Sequence, residues 1–131
     1  MYCKIAILGS GSWATALAKI VMQNQSEINW FIRRLEMIDE FISTGKNPSY
    51  LGAAEFDVSR IHFSADINQI VAKSDVLILA IPSPYVKQTL NKIRRDMTHK
   101  VVISAVKGMI PDENVIITDY LHNRFGIPYD Q

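Results

Sequence analysis

The sequence predicts a doubly wound α/β domain, in which helices cover both faces of a parallel sheet. Short apolar runs alternate along the whole chain with segments whose apolar residues recur at helical spacing. The apolar runs are nearly continuous, which is typical of strands that are buried on both faces. Alternating strands and helices are joined by right-handed crossovers in such folds. A chain of 131 residues is the length of one domain.

Five segments are predicted to be strands, and the clearest is VLILAI at residues 76–81. The first strand leads directly into a turn of small residues, and the short third strand follows a long surface excursion at residues 45–60 that has room for one helical turn. The predicted strands are 2–8, 28–32, 61–63, 76–81 and Val101–Ser104.

Five helices are predicted between and after these strands: 13–24, 35–43, 66–73, 83–93 and 113–125. Gly45 and Gly126 end the second and the last, because glycine readily adopts the left-handed conformation that closes a helix. Ser64 or Asp66 is available to cap the third helix. Pro84 suits the first turn of the fourth, where its missing N–H costs nothing.

The turn after the first strand, Gly9-Ser10-Gly11-Ser12-Trp13-Ala14, fits the pattern G-x-G-x-x-G/A. It follows a predicted strand and opens a predicted helix, the context in which this pattern marks a dinucleotide-binding Rossmann fold. Gly9 is expected to allow the tight turn, and Gly11 to let the backbone approach a pyrophosphate at the helix N-terminus. The alternative is an ordinary strand-to-helix turn that uses glycine.

Arg33 and Arg34 follow the second predicted strand, where an acidic residue usually binds the ribose hydroxyls of NAD. Guanidinium groups suit a 2′-phosphate, through bidentate contacts and stacking on adenine. The pair therefore favours NADPH as at least one accepted cofactor. The alternative is two solvated arginines at a strand end.

Composition excludes several classes of protein. A net charge of +1 shows no global field for nucleic acid, and no apolar stretch approaches the roughly 20 residues that span a bilayer. The lone Cys3 cannot form an internal disulfide and is expected to be a buried core thiol in a reducing compartment. No secretory signal is apparent at the N-terminus. A cytoplasmic location is expected, with neither nucleic-acid partners nor membrane insertion.

With its GSGSWATA, WFIRR, NPSYL, IPSPY and SAVKG segments, the sequence resembles the N-terminal cofactor-binding domain of bacterial NAD(P)-dependent glycerol-3-phosphate dehydrogenases. The resemblance runs from Lys4 to about Gly126. It implies NADPH or NADH as cofactor and a small phosphate substrate. The implied reaction interconverts dihydroxyacetone phosphate and sn-glycerol 3-phosphate by hydride transfer, for phospholipid synthesis in the cytoplasm.

The resemblance also assigns site residues. It places Ser12 and Trp13 against the cofactor, although Trp13 could instead fasten its helix into the core. Arg33 and Arg34 match the contacts to the adenosine end. The remaining assignments are Tyr50, from a loop without a clear pattern, Pro82 beside the nicotinamide, and Lys107, which is expected to reach both cofactor and substrate phosphate. The alternatives for these are a simple helix start at Pro82 and a solvent-facing lysine at Lys107.

Such enzymes are more than twice this length, and their general acid/base is a lysine in a second, helical domain. Residues 1–131 are therefore expected to be the dinucleotide-binding domain of a larger two-domain enzyme, ending before the last strand of that domain's sheet. It is expected to bind cofactor without turning over substrate. His62, His99 and His122 form no sequence cluster that indicates a metal site or a catalytic triad. The apolar Val101–Ser104 strand is expected to form an open edge. Homo-oligomers are therefore expected, through this edge or through the face that meets the second domain in such enzymes.

Two other interpretations stay open at this point. One is another β-hydroxyacid-type dehydrogenase or reductase, which also begins with a glycine-rich fingerprint. The other is a non-catalytic nucleotide-sensing Rossmann module, which typically has an acidic residue where this chain has Arg33.

Overall fold

A computed structural model describes residues 3–50, 52–106, 108–111 and 113–131. Its main sheet contains five parallel strands in the order β3-β2-β1-β4-β5. This order places β1 at the centre and confirms the doubly wound α/β prediction. The strands are β1 Ile5–Leu8, β2 Ile28–Phe31, β3 Ile61–Ser64, β4 Val76–Leu79 and β5 Val101–Ser104.

In the described part of the chain, five α-helices accompany the sheet: α1 Ser12–Val21, α2 Leu35–Thr44, α3 Ile67–Ala72, α4 Ser83–Leu90 and α5 Ile117–Phe125. Gly45 and Gly126 adopt the left-handed conformation after α2 and α5, as predicted. The Asp66 carboxylate caps α3 by accepting a hydrogen bond from Asn68 N. One 3₁₀ turn, Val58–Arg60, lies in the excursion between α2 and β3.

Some predicted details were wrong. The last helix begins at Ile117, not at residue 113, because a two-stranded antiparallel ribbon, β6 Met109–Ile110 and β7 Val115–Ile116, precedes it. Helix α4 ends at Leu90, and Ile93 packs into the core from the following turn. Cys3 is exposed, because β1 begins only at Ile5 and the thiol lies before the sheet.

Hydrophobic cores cover both faces of the sheet, and the alternation of side chains along β1 shows it directly. Ala6 and Leu8 point into one core, which includes residues of α3, α4 and α5. Ile7 points into the other, which is filled from α1, α2 and β2. The strands are therefore apolar on both sides, which explains their continuous apolar sequence.

Strand β5 forms one edge of the sheet. Its terminal place in the strand order agrees with the prediction, and its Val101 and Ile103 side chains are 44% and 51% exposed. The edge is partly covered, because Val102 N donates a hydrogen bond of 2.7 Å to Gln131 O. The Gln131 side chain also donates to Lys100 O at 2.9 Å.

The turn after β1 approaches the end of β4 closely. Gly9 has φ +126°, in the region that favours glycine, and an added Cβ would lie 2.3 Å from the Ala80 carbonyl oxygen. Gly11 differs, because its φ is −75° and an added Cβ would meet no heavy atom within 4 Å. Only the first of the two glycines is required by the fold.

We expect Gly9→Ala to lower the free energy of unfolding by about 2–5 kcal/mol, through backbone strain together with overlap against Ala80. The matched variant Gly11→Ala is expected to change it by less than about 1 kcal/mol. Urea denaturation followed by circular dichroism measures both. Equal stability of the two variants would contradict the assigned close approach.

Candidate functional site

A groove runs along the carboxyl edge of the sheet, where ligands bind in open α/β folds. It consists of two adjoining hollows of about 220 Å³ and about 520 Å³. Both are lined by Gly11, Tyr50, Ile81 and Pro82, so they form one continuous surface, the edge groove. The turns after β1 and β4 form its middle, and the loop after α2 contributes Tyr50.

The smaller hollow is the arginine lobe. Arg33 and Arg34, both exposed, line it beside Phe31 and Met37. Exposed guanidinium groups next to apolar and aromatic walls suit a ligand that combines a flat ring with a phosphate. The sequence prediction missed the part of the lining that α4 supplies with Tyr85, Gln88 and Thr89.

The larger hollow is the tryptophan lobe, lined by Ser12 and Trp13 of α1, by Pro82, Ser83 and Pro84 at the start of α4, and by Ala105 after β5. Trp13 is 56% exposed and belongs to neither core, so the alternative in which it fastens α1 into the core is wrong. Its large apolar surface faces this lobe instead. Lys107, predicted to reach this region, lies outside the described residues.

Three successive carbonyl oxygens of the glycine-rich turn are bound by three buried side chains. Gly9 O accepts a hydrogen bond of 2.7 Å from Trp30 Nε1. Ser10 O accepts one of 3.1 Å from Asn47 Nδ2, and Gly11 O accepts one of 2.7 Å from the Thr15 hydroxyl. The exposed fractions of Trp30, Asn47 and Thr15 are 0%, 1% and 0%, so the turn's carbonyls are held toward the interior.

The N-terminus of α1 opens into the middle of the edge groove. The first hydrogen bond within the helix is donated by Thr15 N to Gly11 O. The N–H groups of Ser12, Trp13 and Ala14 therefore have no acceptor within the helix. Within the described residues, no side chain caps this end, and its first turn carries no acidic residue. Free N–H groups, the positive end of the helix dipole and the open surface at Gly11 fit an anion such as a pyrophosphate.

Tyr50 is 46% exposed and lies where the two lobes meet. Its backbone is fixed by Asn47, whose Oδ1 accepts hydrogen bonds from Ser49 N at 2.9 Å and from Tyr50 N at 3.1 Å. The structure therefore brings Gly9, Gly11, Ser12, Trp13, Arg33, Arg34, Tyr50 and Pro82 to one groove. Sequence reasoning missed Asn47, Thr15 and Trp30, since nothing in the local pattern distinguishes them from ordinary loop, helix and strand residues.

No group of His, Cys, Asp and Glu side chains in the described residues could hold a metal ion.

Another hollow, at the opposite, amino edge of the sheet, is lined by Cys3, Arg60, His62 and Lys73, among others. His62 Nε2 lies 3.0 Å from Lys73 Nζ. Partial burial and the nearby Lys73 cation lower the pKa of His62, which favours the neutral ring as an acceptor.

Arg60 in this amino-edge hollow donates its hydrogen bonds to backbone carbonyl oxygens. It donates to carbonyls at and after the end of α1, including Met22 O and Gln25 O. The Arg60 guanidinium is therefore held by the protein's own backbone in this hollow. Among the described helices, none is long and apolar enough to cross a membrane.

Residues 4–130 match a family model described as the N-terminus of NAD-dependent glycerol-3-phosphate dehydrogenase. The glycerol-3-phosphate dehydrogenase [NAD(P)+] of Bacillus pumilus is 32% identical over 110 residues, covering 83% of this chain and 32% of that protein. That of Bacillus subtilis is 30% identical over 119 residues, covering 90% of this chain and 34% of that protein.

The fold is similar to solved structures of proteins with the same name. A Plasmodium falciparum glycerol-3-phosphate dehydrogenase has a TM-score of 0.84 at 29% identity, and the match covers 96% of this chain and 39% of that chain. A yeast glycerol-3-phosphate dehydrogenase matches in fold, with a TM-score of 0.76 at 20% identity and coverage of 97% and 40%. This chain spans about a third of the length of the curated relatives. Among the interpretations that the sequence left open, these matches select the glycerol-3-phosphate dehydrogenase family.

Proposed function

Since the chain belongs to the glycerol-3-phosphate dehydrogenase family and corresponds to the N-terminal NAD-binding part, we propose that it binds NADPH or NADH in the edge groove. The observation that carries this proposal is the continuity of the groove. One surface leads from Arg33 and Arg34, past the α1 N-terminus, to Trp13. A dinucleotide has the matching sequence of groups: an adenosine, a central pyrophosphate and a second nucleoside.

Each part of the groove suits one part of that ligand. Arg33 and Arg34 bind the adenosine 2′-phosphate of NADPH, and the α1 N-terminus beside Gly11 and Ser12 binds the pyrophosphate. Trp13 and Pro82 form apolar walls that exclude water from the nicotinamide end, and Tyr50 covers the junction. The nicotinamide, when bound, supplies the hydride. The resemblance assigns Lys107 to the cofactor and the substrate phosphate.

The proposed activity of the whole enzyme is the interconversion of dihydroxyacetone phosphate and sn-glycerol 3-phosphate, in the cytoplasm, for phospholipid synthesis. The support for it is the family match and the names of the bacterial relatives. For the 131 residues of this chain, we propose only the binding of the cofactor for this reaction.

We expect the double variant Arg33→Ala/Arg34→Ala to weaken NADPH binding by about 10- to 100-fold, because charged hydrogen bonds to the 2′-phosphate are lost. NADH lacks that phosphate, so its affinity is expected to fall much less. Isothermal titration calorimetry with each nucleotide measures the difference.

Lys92→Ala/Arg95→Ala is the matched control, since it removes the same charge from exposed residues outside the edge groove. It is expected to leave both affinities unchanged. Equal NADPH affinity of the wild type and the Arg33/Arg34 variant would contradict the 2′-phosphate assignment, and absence of binding by the folded wild type would contradict the proposed function.

We expect the 131-residue chain to bind NADPH without reducing dihydroxyacetone phosphate. The resemblance places the general acid/base, which protonates the carbonyl oxygen during reduction, in a second domain, and well-oriented reacting groups contribute roughly 7–11 kcal/mol to lowering a barrier. The measurement is the absorbance of NADPH over time with dihydroxyacetone phosphate present, with the full-length Bacillus subtilis relative as positive control. Steady oxidation of NADPH that depends on dihydroxyacetone phosphate would contradict this expectation.

We also propose that the chain forms homo-oligomers through the β5 edge, which exposes Val101 and Ile103. A lysine on an edge strand opposes pairing with another chain, so Ile103→Lys is expected to shift the chain toward monomer. Ile42→Lys is the control, because Ile42 on α2 is similarly exposed, at 49% against 51%. Sedimentation velocity over a concentration series measures the association. A wild type that stays monomeric at the highest concentration would contradict the proposal.

A further inference from the structure

We infer that Asn47 is a positioning residue of the dinucleotide site, which holds the glycine-rich turn and Tyr50 in one fixed arrangement. The inference rests on the proposed cofactor binding and deepens it. It concerns a side chain that lines neither lobe of the edge groove, so its effect on the ligand passes through the groups that it binds.

The burial of Asn47 is the first observation. Its neighbours Pro48, Ser49 and Tyr50 are exposed, whereas Asn47 is only 1% exposed. A buried amide costs roughly 1–3 kcal/mol or more unless its hydrogen bonds are replaced. An apolar residue would fill this place without that requirement, so the amide indicates a specific set of partners.

All four hydrogen-bonding positions of the Asn47 amide are used. Nδ2 donates to Ser10 O at 3.1 Å and to Thr15 Oγ1 at 2.8 Å. Oδ1 accepts from Ser49 N and Tyr50 N. A carbonyl only accepts and a backbone N–H only donates, so these partners fix which end of the amide is which.

Thr15 extends the network in one direction. Its hydroxyl proton is donated to Gly11 O at 2.7 Å, so its oxygen is free to accept from Asn47 Nδ2. Asn47 thus controls Ser10 O directly and Gly11 O through Thr15. The same side chain, which lies 37 positions after Ser10 in the sequence, also fixes the Tyr50 backbone.

These contacts connect the glycine-rich turn to the loop that carries Tyr50. With the Ser10 and Gly11 carbonyls turned inward, the face of the turn that meets an anion presents N–H groups. Tyr50 also lines the groove, where the two lobes join. Asn47 therefore sets the spacing at the middle of the groove, where the pyrophosphate crosses. Ser10, Gly11 and Tyr50 line the arginine lobe where it joins the other lobe. The effect of Asn47 is therefore largest for a ligand whose pyrophosphate meets the turn, and smaller for one that is held by Arg33 and Arg34 alone.

The binding test compares NADPH with adenosine 2′-phosphate, which carries the 2′-phosphate that Arg33 and Arg34 bind but has no pyrophosphate to meet the turn. We expect Asn47→Ala and Thr15→Val to weaken NADPH binding about tenfold or more and adenosine 2′-phosphate binding less than about threefold. Partial unfolding would weaken both ligands by the same factor. Thr15→Ser keeps the hydroxyl and is expected to retain the NADPH affinity of the wild type.

Asn47→Asp separates the two halves of the network. A carboxylate still accepts from Ser49 N and Tyr50 N, but it loses the donation to Ser10 O and Thr15. Hydrogen exchange of the Ser49 and Tyr50 amides, measured by NMR without ligand, is expected to stay slow in Asn47→Asp. In Asn47→Ala it is expected to become about tenfold faster or more. NADPH affinity is expected to fall in both variants.

Two results would overturn the inference. One is unchanged exchange of the Ser49 and Tyr50 amides in Asn47→Ala, which needs no nucleotide to be observed. The other is a wild type that binds NADPH together with Asn47→Ala and Thr15→Val variants that bind it within about twofold, which would leave the proposed function intact. Failure of the folded wild type to bind either nucleotide would instead reject the proposed function, and the exchange measurement would still decide the role of Asn47.

Discussion

The conformation of the glycine-rich turn depends on hydrogen bonds that buried side chains donate to its carbonyl oxygens. Three consecutive carbonyls are each held by a different buried side chain, from β2, from the loop after α2 and from α1. A turn with two glycines has many accessible conformations, and glycine loses more entropy on ordering than other residues. These bonds select one conformation before any ligand arrives, so a ligand does not have to supply the free energy that orders the turn.

The core fixes the most deeply placed of these donors. The Trp30 ring packs edge-on against Phe41 and Phe56, with centroid distances of 5.2 and 5.6 Å, and stacks on Phe63 at 5.8 Å. This packing leaves the indole little freedom, so the position of Nε1 under Gly9 O is set by aromatic residues of α2, β3 and the excursion before β3. The long segment that showed no periodic pattern thus contributes, through Phe56, to the geometry of the turn.

The local features of the chain could be predicted from the sequence, because each depends on residues that are neighbours in the sequence. The five sheet strands, the left-handed closures at Gly45 and Gly126, and the glycine-rich turn are all local signals. The β6–β7 ribbon was missed, since two-residue strands are too short to show an alternation. Cys3 was misplaced because an apolar run predicts a strand better than it predicts where that strand begins.

The edge groove was only partly predictable, and the missing part is non-local. A motif identifies residues that face the ligand, such as Gly11 and Trp13, because the chemistry limits which residues can stand there. Asn47 faces the protein, and its importance depends on partners at Ser10 and Thr15 that only folding brings near. Groups that touch a ligand can therefore be inferred from a pattern along the chain, whereas groups that hold those residues in place require the three-dimensional contacts.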